Sequence, residues 1–203
     1  MLKELLKNKK FLKATDVFMQ DKDVIDVIIF GSSVREKENP FDIDILVIYL
    51  TEKRENTDET YQFRKRIEEI VKKNVHAVSI GYKNLFKPEF LPRQSILSEG
   101  FSMKIKNYLS EGFGFSSRIL FKYSLKEKNN SKRMQFYYAL YGRKKEKGIL
   151  EKSNCLKFSD SIILSPIENS ELLKNFFKKN SIQFIEIPVL IPERVLNYLV
   201  NTK

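Results

Sequence analysis

The 203-residue chain has a single cysteine, Cys155, and a single histidine, His76. A lone thiol excludes an intrachain disulfide. A structural zinc site takes about four Cys or His ligands, so zinc fingers and ribbons are excluded as well. Any Ser-His-Asp or Cys-His mechanism would have to run through His76. Cys155, in the apolar stretch 155–158, reads as a small buried hydrophobe. Long apolar runs are also missing: none approaches the roughly 18 to 20 residues that cross a bilayer. The basic start runs into charged sequence instead of an apolar signal core. The expectation is a cytoplasmic protein with no membrane partner.

What is present is a globular composition, 42% apolar, 12% aromatic and 31% charged, with 16 Phe and 9 Tyr to fill a core. The length suits one domain or two small ones. Lys and Arg number 37 against 26 Asp and Glu, a formal charge of +11. The excess is uneven. Residues 1–95 hold 18 basic and 16 acidic side chains, whereas residues 96–203 hold 19 and 10. A basic second half is the composition of a segment that meets a polyanion, while a near-neutral first half does something else.

Leu2, Leu5, Leu6, Phe11, Leu12 and Phe18 recur at helical spacing and predict an opening helix over 2–20. Asp26 to Phe30 reads as a buried strand ending at Gly31, and Asp42 to Leu50 as a second strand after the turn signal Asn39-Pro40. Asp58 to Lys73 has acidic residues in its first turn, lysines in its last and the apolar face Phe63, Ile67, Ile70, Val71, which predicts an amphipathic helix stopped at Asn74. A third strand follows at Val75 to Ile80. Residues 87–94, with two prolines, read as a loop, and residues 98–109 as a connecting helix. Beyond Gly112 to Gly114 the pattern is strand (117–125), helix (131–141), strand (154–158), strand (161–164), helix (170–179) and strand (183–190), closed by a helix over 192–200. Strand-helix-strand-strand-helix-strand is the ferredoxin-like βαββαβ order.

The chemistry concentrates in the first half. Strand side chains alternate, so Asp42 and Asp44 share one face, roughly 7 Å apart along the strand, while Ile43, Ile45 and Val47 share the other. Two carboxylates so placed can hold one hard cation, and Mg²⁺ completes its shell with water and substrate phosphates. Gly31, Ser32 and Ser33 end the preceding strand, where a residue without Cβ lets the backbone approach phosphates and hydroxyl and N–H groups can bind them.

A strand ending in Gly-Ser, a spacer, and then Asp-x-Asp opening the next strand resembles the DNA polymerase β-like nucleotidyltransferase superfamily, most closely its minimal nucleotidyltransferases. The resemblance covers about residues 20–105 and includes the tail 96–100. It implies that Mg²⁺ (or Mn²⁺) is held by Asp42 and Asp44. It also implies an NTP contacted by Gly31, Ser32 and Ser33, and in-line attack by an acceptor hydroxyl on the α-phosphate with release of pyrophosphate. The family's third carboxylate falls at His76. An imidazole is a poor ligand for Mg²⁺ and a better one for Mn²⁺, and it can accept a proton from the attacking hydroxyl. It can equally mark a retired site or be unrelated to chemistry. The acceptor implied is RNA, a protein hydroxyl or a small molecule. The alternative is a catalytically degenerate fold that binds RNA or nucleotide in a regulatory or structural role.

The expected organisation is therefore α+β: a nucleotidyltransferase-like domain over 1–112 and a basic ferredoxin-like domain over 113–203. In the second, Lys132 and Arg133, then Arg143, Lys144, Lys145 and Lys147 between Gly142 and Gly148, are the candidate nucleic-acid contacts, with tRNA or another structured RNA as the natural partner. Phe136, Tyr137, Tyr138 and Tyr141 interleave with these cations, and exposed aromatics on a ferredoxin-like sheet can stack bases; against that, Met134, Tyr138 and Tyr141 fall at helical spacing and read as that helix's core face.

Overall fold

All residues of Val24–Phe30 except Asp26 are β-branched or aromatic, and they form the central strand β1 of the first unit. The computed structural model of the chain describes residues 1–35, 42–55, 57–144 and 146–201. The Asn39-Pro40 turn signal and Lys145 lie outside the described residues. Internal packing divides the chain into two units, Met1–Phe113 and Gly114–Lys203.

The first unit opens with two helices, α1 (Leu2–Leu5) and α2 (Lys9–Phe18), where one was expected. Asn8 interrupts them: its backbone is extended, and its side-chain oxygen accepts the N–H groups of Lys10 and Phe11 at 3.0 and 3.1 Å, an N-cap. After β1 come β2 (Asp42–Tyr49), α3 (Asp58–Val71) and β3 (Asn74–Gly81). Lys72 ends α3 in the left-handed conformation at φ 55°, so the stop precedes Asn74, which already belongs to β3. The helix α4 (Arg93–Glu99) follows, then β4 (Phe101–Ser102) and β5 (Asn107–Tyr108). The sheet order is β3-β2-β1-β4-β5, with β2 and β3 parallel and the other pairs antiparallel. The parallel pair is joined by the crossover helix α3.

The expected helix over 98–109 is corrected to a small hairpin, and the expected loop over 87–94 contains the start of α4. Phe101 and Ser102 add to β1 opposite Ile29 and Ile28. The Ser102 hydroxyl donates to the buried Asp26 carboxylate and accepts the Ile105 N–H at 3.2 Å, which pins the turn. One sheet face packs Ile28, Leu46, Ile48, Ile80 and Ile96 together. On β2 the opposite face carries Ile43, Ile45, Val47 and Tyr49, all buried, and the Tyr49 hydroxyl meets Thr60 of α3 at 3.0 Å.

The second unit contains β6 (Phe115–Ser124), α5 (Asn130–Tyr141), β7 (Gly142–Arg143), β8 (Glu146–Lys147), α6 (Ile149–Lys152), β9 (Leu156–Ser159), β10 (Ile162–Pro166), α7 (Ser170–Lys179), β11 (Gln183–Pro192) and α8 (Glu193–Asn201). Its four-stranded sheet runs β11-β6-β10-β9, antiparallel throughout. Numbered within the unit this is 4-1-3-2, the ferredoxin-like order, with the β7-β8 hairpin and α6 inserted after the first helix. Phe121, Tyr123, Phe136 and Phe177 centre an aromatic core, with Phe184 packed against it. Met134, Tyr138 and Tyr141 do not join this core. They are exposed, and α5 buries Phe136 and Leu140 instead. Cys155 is buried, with its sulfur 3.1 Å from the Ser153 hydroxyl.

Candidate active site and basic surface

The two carboxylates open β2 at the end of the sheet where β1 stops. Asp42 is exposed and Asp44 is half-buried, on the face that continues into buried Leu46 and Ile48. Across the sheet Asp44 lies opposite Phe30 on one side and His76 on the other. The chain turns directly after Phe30 through a short 3-10 segment, Gly31–Ser33.

Gly31 has φ +72°, and a Cβ placed on it would sit 2.5 Å from Asp44 Oδ2. Both facts demand glycine: an L side chain avoids that backbone conformation, and the carboxylate occupies the space. The turn is thus held hard against the second Asp of the pair. Ser33 is buried, and its hydroxyl donates to the Asp42 carbonyl at 3.3 Å, which ties the turn to the start of β2. Ser32, between Gly31 and Ser33 in the turn, is half-buried.

His76 is 67% exposed, and its Nδ1 lies 3.6 Å from Asp44 Oδ1. Burial pushes the Asp44 carboxyl above the ordinary carboxylate range, the Asp42 charge pushes the same way, and His76 pulls it down. A half-buried carboxylate whose proton affinity is raised by burial and by a neighbouring carboxylate is a donor suited to a divalent cation, whose charge reverses that balance. Among the described residues, no three His, Cys, Asp or Glu side chains close around one point. The cluster at this end is the carboxylate pair with His76 beside it.

One pair of residues at this end was invisible in the sequence. Arg35, just beyond the 3-10 turn, donates from Nε to Glu99 Oε2 at 2.8 Å and from a terminal nitrogen to Glu99 Oε1. Glu99, at the end of α4, is only 4% exposed. The fork-to-fork geometry fixes the turn to α4. The partners stand 64 positions apart, so no local pattern could pair them. A groove between α2 and α3, floored by Phe18 stacked on Phe63, holds none of these residues.

The candidate nucleic-acid contacts are split. Lys132 and Arg133 lie in the first turns of α5, whereas Arg143, Lys144 and Lys147 lie past its last turn. A 12-residue helix separates the two sets by about 18 Å. The glycines flanking the second set serve the backbone: a Cβ on Gly142, at φ +96°, would meet the Glu146 carbonyl oxygen at 2.2 Å, and one on Gly148 the Leu140 carbonyl oxygen at 2.3 Å. The segment is a tight hairpin in which Arg143 faces Glu146. Arg143 also covers the Tyr138 ring at 4.8 Å, and Lys147 pairs with Glu151 at 2.6 Å. The outward face of the sheet carries Leu120, Lys122, Ile185 and Ile187, as their pairing shows. Among the described residues, the outward pairs of β6 and β11 include no aromatic ring, so these two strands offer no row of rings on which bases could stack.

Residues 12–99 match the family model described as polymerase beta, nucleotidyltransferase. Among solved structures the chain is similar to a mutant of the toxin–antitoxin MntA–HpeT, with 14% identity and a TM-score of 0.35, covering 45% of this chain and 70% of that one. A toxin–antitoxin with AMP-PNP matches at 15% identity and a TM-score of 0.36, covering 45% and 71%. A tri-AMPylated Shewanella oneidensis HEPN toxin in complex with MNT antitoxin matches at 16% identity and a TM-score of 0.34, covering 48% and 69%. No curated protein matches the chain. No helix among the described residues is long and apolar enough to cross a membrane.

Proposed function

We propose that the polymerase β-type nucleotidyltransferase domain formed by residues 12–99 moves a nucleoside monophosphate from an NTP to a hydroxyl acceptor. The observation that carries this reading is the close approach of Gly31 to Asp44, which sets a glycine turn against a strand-borne carboxylate pair. Asp42 and Asp44 are the residues that would hold Mg²⁺ or Mn²⁺, and such an ion supplies charge neutralisation at the phosphates. Ser32 and the Gly31 backbone offer the hydroxyl and N–H groups for the phosphates. Ser33, whose hydroxyl already serves β2, acts by shaping the turn. His76, exposed beside Asp44, stands where it can take the acceptor's proton.

The acceptor we propose is RNA, with a protein hydroxyl and a small molecule as the competing classes. The net charge of +11 supports a polyanionic acceptor. A second reading has its own support. An imidazole where the family's third carboxylate is expected suits a domain that binds nucleotide or RNA without turning it over.

One experiment separates the readings. Purified protein is incubated with each α-labelled NTP and total small RNA in Mg²⁺ or Mn²⁺, and label is followed into RNA and into protein, with Asp42→Asn as control. Transfer that falls at least a hundredfold in the variant establishes the enzyme and names nucleotide and acceptor class. RNA bound without any label transferred supports the binding reading.

A further inference from the structure

Cations that the sequence scatters over three segments meet at one end of the second unit. Strand β6 ends at Ser124 and leads through Lys126, Glu127 and Lys128 into α5, which begins with Lys132 and Arg133 in its first turns. In the antiparallel 4-1-3-2 arrangement the end of α7 and the start of β11 come to the same end, because Gln183 pairs with Ser124. That brings Lys178 and Lys179, in the last turn of α7, to it as well. A direct bond ties the segments, Gln183 Nε2 donating to Glu127 Oε1 at 3.1 Å.

The β9–β10 turn lies at this end too, since the Tyr123 N–H donates to the Ser161 carbonyl, and there Asp160 is paired with Lys157 at 2.8 Å. Beside that closed pair the end presents six cations and one further carboxylate, Glu127, which is engaged by an amide. No ion pair holds Lys126, Lys128, Lys132, Lys178 or Lys179 among the described residues. The other end of α5 differs, since Lys147 is paired with Glu151 and Arg143 faces Glu146. Folding accounts for Lys178 and Lys179, whose charge suits the C-terminal turn of α7, but not for the lysines around the start of α5. The first turn of α5 has no acidic residue and carries Lys132, the sign that opposes the helix dipole there. Asn129 supplies the cap, accepting the Lys132 N–H at 2.9 Å. Arg133 alone has a structural task, donating to the carbonyls of Leu125 and Lys126, and it shapes the loop that displays the lysines.

We propose that this end of the second unit, built by Lys126, Lys128, Lys132, Lys178 and Lys179, is a docking surface for the phosphate backbone of a structured RNA. It deepens the proposed function by locating the polyanionic partner, and it does not depend on nucleotidyl transfer. Mobile ammonium groups with no carboxylate partners suit backbone phosphates spaced along a strand. The absence of aromatic rings from the outward pairs of β6 and β11 argues for contact with backbone over unstacked bases.

The test measures binding of the full chain to unfractionated tRNA by filter retention at several KCl concentrations, for wild type and two triple variants. Lys126→Ala/Lys128→Ala/Lys132→Ala should lose at least tenfold in affinity at low salt and flatten the logarithmic salt slope by about three, near one for each phosphate no longer neutralised. Arg143→Ala/Lys144→Ala/Lys147→Ala should change either quantity much less. Unchanged melting temperatures would confirm that both variants fold. Wild type that retains tRNA yet transfers no label would count against the enzyme reading alone and leave this surface standing. The reverse pattern in the two triples would overturn the location. Wild type that retains no tRNA at low salt would overturn the surface altogether, as would retention of anionic phosphatidylserine vesicles in place of tRNA.

Discussion

Asp26 sits in the middle of β1, buried, and burial raises its carboxyl above the ordinary range against three hydrogen bonds that lower it. Those bonds come from the Ser102 hydroxyl, from the Lys104 N–H at 3.1 Å and from the Val27 N–H at 2.7 Å. A carboxyl whose native pKa is raised binds its proton more tightly folded than unfolded. Its contribution to stability is therefore fully present below the unfolded value of about 3.9 and is lost as pH rises through the native value. Asp26→Asn keeps an oxygen for the two N–H donors and removes the charge. The variant should thus be as stable as wild type or more so at pH 7, and the gap should close as pH falls towards 4, read from urea midpoints across that range. A gap independent of pH would show that Asp26 is not the titrating group. Gly31 makes the opposite kind of demand. Gly31→Ala puts a methyl where Asp44 Oδ2 lies 2.5 Å away and forces alanine to φ +72°. It should cost about 1 to 3 kcal/mol in the same urea assay. These site residues could be read from sequence because glycine, serine and paired aspartates on a period-2 strand are chemically conspicuous. Asp26 gave no such sign, since its burial depends on a hairpin some 75 positions later in the chain.

At the scale of elements, the Gly31–Ser33 turn has no secondary structure of its own beyond three residues and borrows rigidity from α4. The Arg35–Glu99 pair is that loan in physical form. Glu99 is 4% exposed and Arg35 30% exposed, so removing either partner strands a charge that water reaches poorly. Arg35→Met or Glu99→Gln should each cost about 2 to 3 kcal/mol, and the double variant Arg35→Met/Glu99→Gln should cost less than the sum of its parts. A double-mutant cycle in urea checks this, and strict additivity would mean that the two side chains are not energetically coupled. Elements were legible where periodicity was long, as in β2, α3 and α7. They were misread where short apolar segments fit two periods. Residues 98–109 place Phe101, Met103, Ile105 and Leu109 at spacings that suit a helix, yet β1 offers an open edge to Phe101 and Ser102, and pairing with that edge decides the matter. The helices of the second unit show the same limit. Met134, Tyr138 and Tyr141 follow helical spacing as closely as Phe136 and Leu140 do, and only the position of the sheet chooses which stripe is buried.

For the whole molecule, charge asymmetry could be counted along the chain, but its concentration at one end of the second unit could not, because the lysines involved belong to segments that only the 4-1-3-2 strand order brings together. Each unit has its own core: Ile28, Leu46, Ile48, Ile80 and Ile96 in the first, and the aromatic group around Phe121, Phe136 and Phe177 in the second. Separate cores imply separate cooperative transitions, since loosening one core leaves the other intact. Scanning calorimetry of the full chain should then resolve two unfolding events. Glu99→Gln should lower only the event belonging to residues 1–113. Phe177→Leu, which trims a ring touching Phe121, Tyr123 and Phe184, should lower only the other, by an amount matching about 1 to 2 kcal/mol. Two variants, each shifting a different transition, would establish the units as independent in stability. A single event lowered by both would mean that the two cores unfold as one cooperative body, and the lysine-to-alanine variants of the second unit would then have to be read through their effect on the stability of the first.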